Sequence, residues 1–252
     1  MEVHTHTHTD PTHGGTSRKK WTHYFWEFLM LFLAVFCGFL AENQREHYVE
    51  HRREKQYISS FLEDLKTDIH QLDSLVLGRL DRKKMMDSLT FIFNSDDPDL
   101  YGNEIYFYSR LLTLSLLFFN NDRTIQQLKN GGNLRLIRKQ EVSNAIMDYD
   151  QQVRWNGWVA KREEEYILEY VKRVEEIFDS KEFNKMATGK FGFRRPENNP
   201  RLLKKDKQTM QLFINKIHFL NSANSYMLMI YGDLLTKAKQ TKEIIETGYS
   251  LK

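Results

Sequence analysis

The chain has few residues that cross-link or interrupt a fold: one cysteine, Cys37, and four prolines in 252 residues. A single cysteine excludes a disulfide within the chain, so packing alone must hold the fold together. Strand signals are also nearly absent, because apolar residues rarely alternate with polar ones over a strand's length. These absences leave a helical protein as the expected class.

Sequence motifs for catalysis are missing as well. No serine lies in a G-x-S-x-G turn, and the one cysteine lies within an apolar run. The GKFG sequence at 189–192 lacks the strand and helix that flank a phosphate loop, and the aspartates at 96–99 are too irregular for a calcium loop. We therefore predict no catalytic residues, no cofactor and no enzymatic activity. We also expect no nucleic-acid partner.

One short pattern keeps a metal alternative open. His47, Glu50 and His51 form H-x-x-E-H, in which two imidazoles four residues apart share a helix face and a glutamate works as a base. The pattern lies in a strongly charged run with no clear acidic third ligand. We interpret it as solvated helix surface, with a zinc-dependent hydrolase or a structural metal site as the alternatives.

The longest apolar run, YFWEFLMLFLAVFCGFLA at residues 24–41, contains a single charge, that of Glu27. Eighteen residues rise about 27 Å as a helix, close to the thickness of a bilayer core. Glu27 lies near the start of the run, where it can reach the interface and where the helix dipole favours a carboxylate. We predict a transmembrane anchor over residues 21–41 and a lipid bilayer as a partner.

Aromatic and basic residues cluster at the beginning of this run. Trp21, Tyr24 and Trp26 lie beside the cations of residues 18–20, a combination typical of the headgroup boundary. A cleaved signal peptide is the competing interpretation, but cleavage after Ala41 would place Phe39 where a small residue is required. The three aromatic residues are therefore predicted to be interface anchors of an uncleaved span.

The face of the anchor that carries small residues is predicted to contact a second helix. Glu27, Leu31, Ala34, Gly38 and Ala41 follow one another at helical spacing and form one stripe. Small residues four apart let two helix backbones approach closely in lipid, where packing drives association. We expect a homo-oligomer formed along this stripe, and chance occurrence of small residues is the alternative.

The orientation of the anchor follows from the basic residues that flank it. Three cations directly precede the span, whereas four lie further away within the next twenty residues. Cations close to the span count most, and long domains cross the membrane largely regardless of charge. We expect the N-terminus inside and the C-terminal domain outside the cytoplasm, with the reverse orientation as the alternative.

The remaining residues, 42–252, are predicted to form one helical domain. From Glu42 to Gly78 the chain has neither glycine nor proline, and its apolar residues recur with a helical period. The membrane helix is expected to continue into this charged helix, although a bend near Asn43 and Gln44 is equally compatible. We predict an all-α fold in which a transmembrane helix, a long charged helix and an antiparallel helical bundle follow one another.

Two further long helices are expected in the bundle, one starting within residues 139–150 after a glycine turn and one over residues 206–247. The glycines at 131 and 132 are expected to end a preceding short helix. Trp155 and Trp158, three apart, could stack on a ligand but are predicted to be packing residues. The positions predicted to face the core are Val142, Ala145, Ile146, Tyr149, Val153, Tyr166, Ile167, Tyr170, Val174 and Ile177, followed by Phe213, Ile217, Leu220, Met227, Tyr231, Leu234 and Ile245.

Three other segments complete the expected organisation. Residues 1–20, with alternating His and Thr, are predicted to be a disordered tail. The segment 105–119 is predicted to be the core helix of the domain, with a second membrane span as the alternative. Residues 181–207 hold nine Lys and Arg against three acidic residues, with several turn formers, and are predicted to be a long basic loop. This loop is expected to be a solvated connector, and contact with anionic lipid or an acidic partner is the alternative.

Two segments, residues 25–68 and 128–150, carry a resemblance to known proteins. The chain resembles a family of uncharacterised single-span membrane proteins common in Bacteroidota. Its members pair an early acidic residue in the span, here Glu27, with a charged helix that ends in ED-L-x-x-D, here residues 63–68. The resemblance implies a location in the inner membrane of a Gram-negative envelope and implies no catalytic residues.

From the sequence we therefore expect a membrane-anchored, self-associating helical scaffold or sensor that acts through protein contacts, including contact with an unidentified envelope protein. A small oligomeric cation pore with Glu27 in its path is the first alternative, because rings of carboxylates select cations. A zinc hydrolase based on His47, Glu50 and His51 is the second.

Overall fold

The computed structural model describes residues 17–189 and 192–251, and the chain forms two compact units that meet between Arg53 and Glu54. It is 82 % helical with almost no sheet, so the all-α prediction is confirmed. Residues 1–16 of the predicted disordered tail lie outside the described residues, whereas residues 17–20 are helical and belong to α1. The α-helices of the described residues are α1 Ser17–Phe93, α2 Gly102–Leu111, α3 Arg123–Asn130, α4 Gln140–Ile177, α5 Ser180–Met186 and α6 Lys207–Tyr249.

The first unit consists of the N-terminal part of α1. This part contains the predicted anchor, and no residue of its most apolar 18-residue window is buried. Among the described helices, α1 is the one that is long and apolar enough to cross a membrane. It continues without a break through Asn43 and Gln44, so the predicted passage from apolar helix into charged helix is confirmed.

The second unit is a helical bundle in which the rest of α1, α4 and α6 are the long members. Side-chain bonds fix their directions: α6 runs antiparallel to both α1 and α4, and α1 and α4 run parallel to each other. A parallel pair requires a long return connection, which residues 94–139 provide. The bonds are Asp73 to Lys239 and Asp87 to Asn221 between α1 and α6, Asp148 to Lys237 and Glu169 to Lys216 between α4 and α6, and Asp68 to Tyr149 between α1 and α4.

The core of the second unit has two adjoining hydrophobic clusters along these helices. All seven predicted core positions of α6 are buried, and so are eight of the ten predicted for α4. Val153 is partly buried and packs against the core. Tyr166 is 38 % exposed, so its assignment to the core is wrong. Its face of α4 borders a surface cavity instead of a neighbouring helix.

The segment 105–119 is only partly the helix that was expected. Helix α2 ends at Leu111, and residues 115–122 have no regular structure. Buried arginines of α1 bind the carbonyl oxygens of this stretch: Arg82 donates to Leu112 at 2.8 Å and to Leu114 at 2.6 Å, and Arg79 donates to Leu116 at 2.6 Å. Those carbonyls are therefore satisfied without helical bonds.

The basic segment 181–207 is not a loop throughout. Its first part belongs to α5, which Asp179 caps by accepting a hydrogen bond from the Lys181 amide at 2.9 Å. Two short antiparallel strands follow, β1 Ala187–Thr188 and β2 Gly192–Phe193, and the rest to residue 206 is irregular. The predicted single loop is wrong for residues 181–186, because they precede the turn formers and the Asp179 cap starts a helix there.

Cations of this segment have acidic partners within the second unit. Arg195 lies 2.9 Å from Glu104, and Lys205 pairs with Asp99. Both acids belong to the stretch that includes the start of α2, so the basic segment is held against it. These pairs favour the interpretation of a solvated connector, and its contact with lipid stays a prediction.

Candidate functional site

The predicted contact stripe lies on the apolar part of α1, and all five of its residues are exposed. A Cβ added to Gly38 would meet no atom within 4 Å. Nothing within the described chain therefore requires glycine at this position. A neighbouring helix would require it, because backbones approach closely only where side chains are small.

Glu27, the only charged residue of the stripe, has a neighbour on its own helix. The Nε2 atom of His23 lies 3.4 Å from its carboxylate, one turn earlier in α1, and both side chains are mostly exposed. A cation pore would need further polar groups along the path. The segment 105–119, the other candidate contributor, has Ile105, Tyr106 and Leu112 buried in the core of the second unit.

The predicted interface anchors are among the most exposed aromatic side chains. Trp21, Tyr24 and Trp26 all have more than half of their surface accessible. Rings with an apolar body and a polar edge suit the boundary between headgroups and acyl chains. A side chain must be exposed to contact lipid headgroups, and the exposure of these three rings is compatible with their predicted role as interface anchors.

The H-x-x-E-H residues lie further along α1, and His47 and His51 are exposed. Within the described ranges 17–189 and 192–251, no three His, Cys, Asp or Glu side chains come together in a metal-binding group. Catalytic zinc takes three protein ligands, and two imidazoles alone do not complete such a site. Neither the zinc alternative nor the predicted absence of metal is tested by this arrangement.

A buried polar network at the centre of the second unit was not foreseen from the sequence. Arg79, fully buried, binds both carboxylate oxygens of Glu163, one of them at 2.7 Å, and donates to Asn224 at 3.2 Å. Asn224 returns a bond to the Arg79 carbonyl at 3.1 Å, and the Tyr231 ring lies 5.1 Å from the guanidinium. The network joins α1, α4 and α6 where Arg79, Glu163 and Asn224 meet.

The second buried arginine, Arg82, donates hydrogen bonds to backbone carbonyls, those of Leu112 and Leu114. Burial lowers the pKa of Arg82 to about 10, and the nearby charge of Arg79 acts in the same direction. A sequence signal for Arg79 was available, because it follows Leu72 and Val76 at helical core spacing. An arginine on an apolar helix face indicates a buried partner on another element.

A concave feature of the second unit is an aromatic cavity between α4 and α6. Its volume is about 520 Å³. Trp155 and Trp158, predicted to be packing residues, are instead 52 % and 58 % exposed at its edge. Residues of both helices form the walls: Trp155, Trp158, Val159, Arg162, Glu163, Tyr166, Phe219, Ser222, Ala223, Tyr226 and Met227.

Comparison of the chain with protein families, curated proteins and solved structures finds no match.

Proposed function

We propose that the protein is a membrane-anchored, self-associating helical scaffold or sensor that acts through contacts with other proteins. The observation that carries this proposal is the uncovered apolar surface of residues 24–41. These residues are helical and strongly apolar, and none of them is buried. A water-exposed helix of this composition would forgo about 1.5–3 kcal/mol for each large apolar side chain that lipid could cover.

The self-association part of the proposal rests on the stripe of small residues. Ala34 and Gly38 lie one turn apart on an exposed face, and Gly38 has open space around it. In lipid, close backbone approach adds dispersion contacts that larger side chains would prevent. A second copy of the same helix presents the same face and is the simplest partner.

The location follows from the sequence and is part of the same proposal. The flanking cations favour a cytoplasmic N-terminus, and the resemblance to single-span proteins of Bacteroidota favours a bacterial inner membrane. The second unit then lies outside the cytoplasm, where an envelope protein is a reachable partner. No catalytic role is proposed for it.

The test is a pair of isoleucine variants in the membrane helix. Gly38→Ile places a branched side chain on the stripe, and we expect self-association to weaken by about tenfold, because the backbones can no longer approach. Leu40→Ile changes a side chain on the opposite face and should leave association unaltered. Sedimentation equilibrium in detergent measures both.

Two results would contradict the proposal. Equal association of the Gly38→Ile variant and the unmodified chain would remove the stripe from the argument. Recovery of the full-length chain in the aqueous fraction after lysis without detergent would remove the membrane anchor itself.

A further inference from the structure

Aromatic side chains around the cavity between α4 and α6 are exposed and do not pack in the core of the bundle. Phe219 is 54 % exposed, a fraction similar to those of the two tryptophans across from it. Tyr166 and Tyr226 complete the walls. Single exposed aromatic residues are ordinary, but five around one depression form a contiguous apolar patch, which marks a binding surface.

The two tryptophans form a ready platform for a flat molecule. Their ring centroids lie 5.3 Å apart and their planes differ by 26°, so the rings are nearly parallel. They follow each other at i and i+3 on one helix, which fixes both Cβ positions before any ligand arrives. A ligand ring that stacks on this pair loses little conformational freedom of the protein.

The charge at the cavity decides which ligands fit. Arg162 lies one turn from both Trp158 and Tyr166 on the same exposed face of α4. Among residues 17–189 and 192–251 it has no hydrogen bond, ion pair or ring contact. Glu163, the other charged residue of the wall, is 3 % exposed and bound on both oxygens by Arg79. The uncompensated charge of the wall is therefore positive.

We propose that this cavity binds a small molecule with an aromatic ring system and one anionic group such as a carboxylate. The rings stack on Trp155 and Trp158, and the anion accepts hydrogen bonds from the Arg162 guanidinium, whose planar donors match a carboxylate. A volume of about 520 Å³ lies within the range of small-molecule sites. Organic cations, which aromatic walls otherwise attract, are repelled by Arg162.

The experiment uses the full-length chain in nanodiscs of zwitterionic lipid and three probes that share a ring system. These are 1-naphthaleneacetate, its neutral amide and 1-naphthylmethylamine, measured by calorimetry against protein-free nanodiscs. We expect the anion to bind about tenfold more tightly than the amide, because its hydrogen bonds to arginine are charge-assisted. The amine should bind more weakly than the amide.

Variants assign the two halves of the site. Arg162→Gln should reduce the affinity for the anion to that for the amide and leave the amide's affinity unchanged. Lys161→Gln removes a neighbouring exposed cation outside the cavity and should change neither affinity. Trp158→Ala should weaken both probes, with circular dichroism confirming that the variant is folded.

Three outcomes would overturn the proposal. The first is equal binding of anion and amide, and the second is an equal effect of Lys161→Gln and Arg162→Gln, which would indicate a general surface field. The third is absence of probe binding together with a change of oligomer mass in Trp158→Ala, which would make this face an interface between copies of the chain. Because the test does not depend on self-association, its failure leaves the role of Gly38 untouched.

Discussion

At the scale of single residues, the least expected feature is a fully buried arginine held by three helices. Arg79 of α1 meets Glu163 of α4 and Asn224 of α6, and every one of these side chains is at most 3 % exposed. Burial acts to lower the pKa of Arg79, but hydrogen bonds to Glu163 and its charge outweigh it and raise that pKa. Such a pair favours one register of the helices, because any shift leaves a charge buried alone.

Replacing Glu163 by Gln should destabilise the second unit by about 3–5 kcal/mol, because the Arg79 charge stays buried without its counter-ion. Urea unfolding of the full chain, followed by tryptophan fluorescence, measures the loss. Asp81→Asn removes an acid from an exposed pair with Lys84 and should leave the unfolding midpoint unchanged. An equal midpoint for the Glu163→Gln variant would mean that water reaches Arg79.

At the scale of elements, helix ends depend on a few positions. Helix α3 ends at the Gly131–Gly132 turn, and Gly132 has φ +63°, a left-handed conformation that glycine adopts freely. Helix α6 begins where the Asp206 carboxylate accepts a hydrogen bond from the Thr209 amide at 2.9 Å. This bond holds the pKa of Asp206 below its ordinary value.

Alanine at two glycines should have opposite effects. Gly132→Ala forces a side chain into the left-handed region and should cost about 1–2 kcal/mol of unfolding free energy. Gly232→Ala lies inside α6, where a Cβ meets nothing within 4 Å, and should stabilise by roughly 0.5–1 kcal/mol. Thermal unfolding of both variants gives the signs, and the same sign for both would contradict the assigned helix boundaries.

At the scale of the whole molecule, buried tyrosines link the stability of the fold to alkaline pH. Burial is the largest cause that raises the pKa of these phenols, and some of them also face a carboxylate, as Tyr149 faces Asp68 at 2.8 Å. The group consists of the buried Tyr106, Tyr149, Tyr170 and Tyr231 and the partly buried Tyr249. Each keeps its proton in the folded state at a pH where the unfolded chain has lost it.

The contribution of these tyrosines to the free energy of unfolding should therefore be constant between pH 8 and about pH 10 and fall above it, while Arg82, whose folded pKa is lowered to about 10, offsets about one tyrosine's share. The sign follows because the folded pKa of each tyrosine lies above the unfolded one, so raising the pH favours the unfolded state. Each such tyrosine contributes a slope of about 1.4 kcal/mol per pH unit. Urea unfolding between pH 8 and pH 11 measures it. Tyr170→Phe should reduce the slope by one tyrosine's share. Tyr48→Phe, at an exposed position, should leave the slope unchanged. An unchanged slope in Tyr170→Phe would contradict the raised pKa of Tyr170.

The sequence predicts those parts of the fold that depend on interactions between residues close together in the chain. The apolar run at 24–41, the helical period after Glu42 and the glycine turn at 131–132 are local patterns, and the helices they predict are present. Among the described helices, α2 ends earlier than expected because distant groups act: arginines of α1 bind the carbonyls of Leu112, Leu114 and Leu116. The helix that Asp179 starts within the basic segment is a local exception, since its cap bonds the Lys181 amide two residues away.

The candidate sites divide in the same way. The amino-acid order alone predicts the anchor, its stripe and its aromatic boundary, because a single helix displays its faces at a fixed angular spacing. Only tertiary structure decided that Arg79 meets Glu163 and that Trp155, Trp158 and Tyr166 face a cavity. Periodicity assigns a residue to one side of its helix. Whether another helix covers that side depends on where α4 and α6 separate. Their separation is set by all the side chains packed between them.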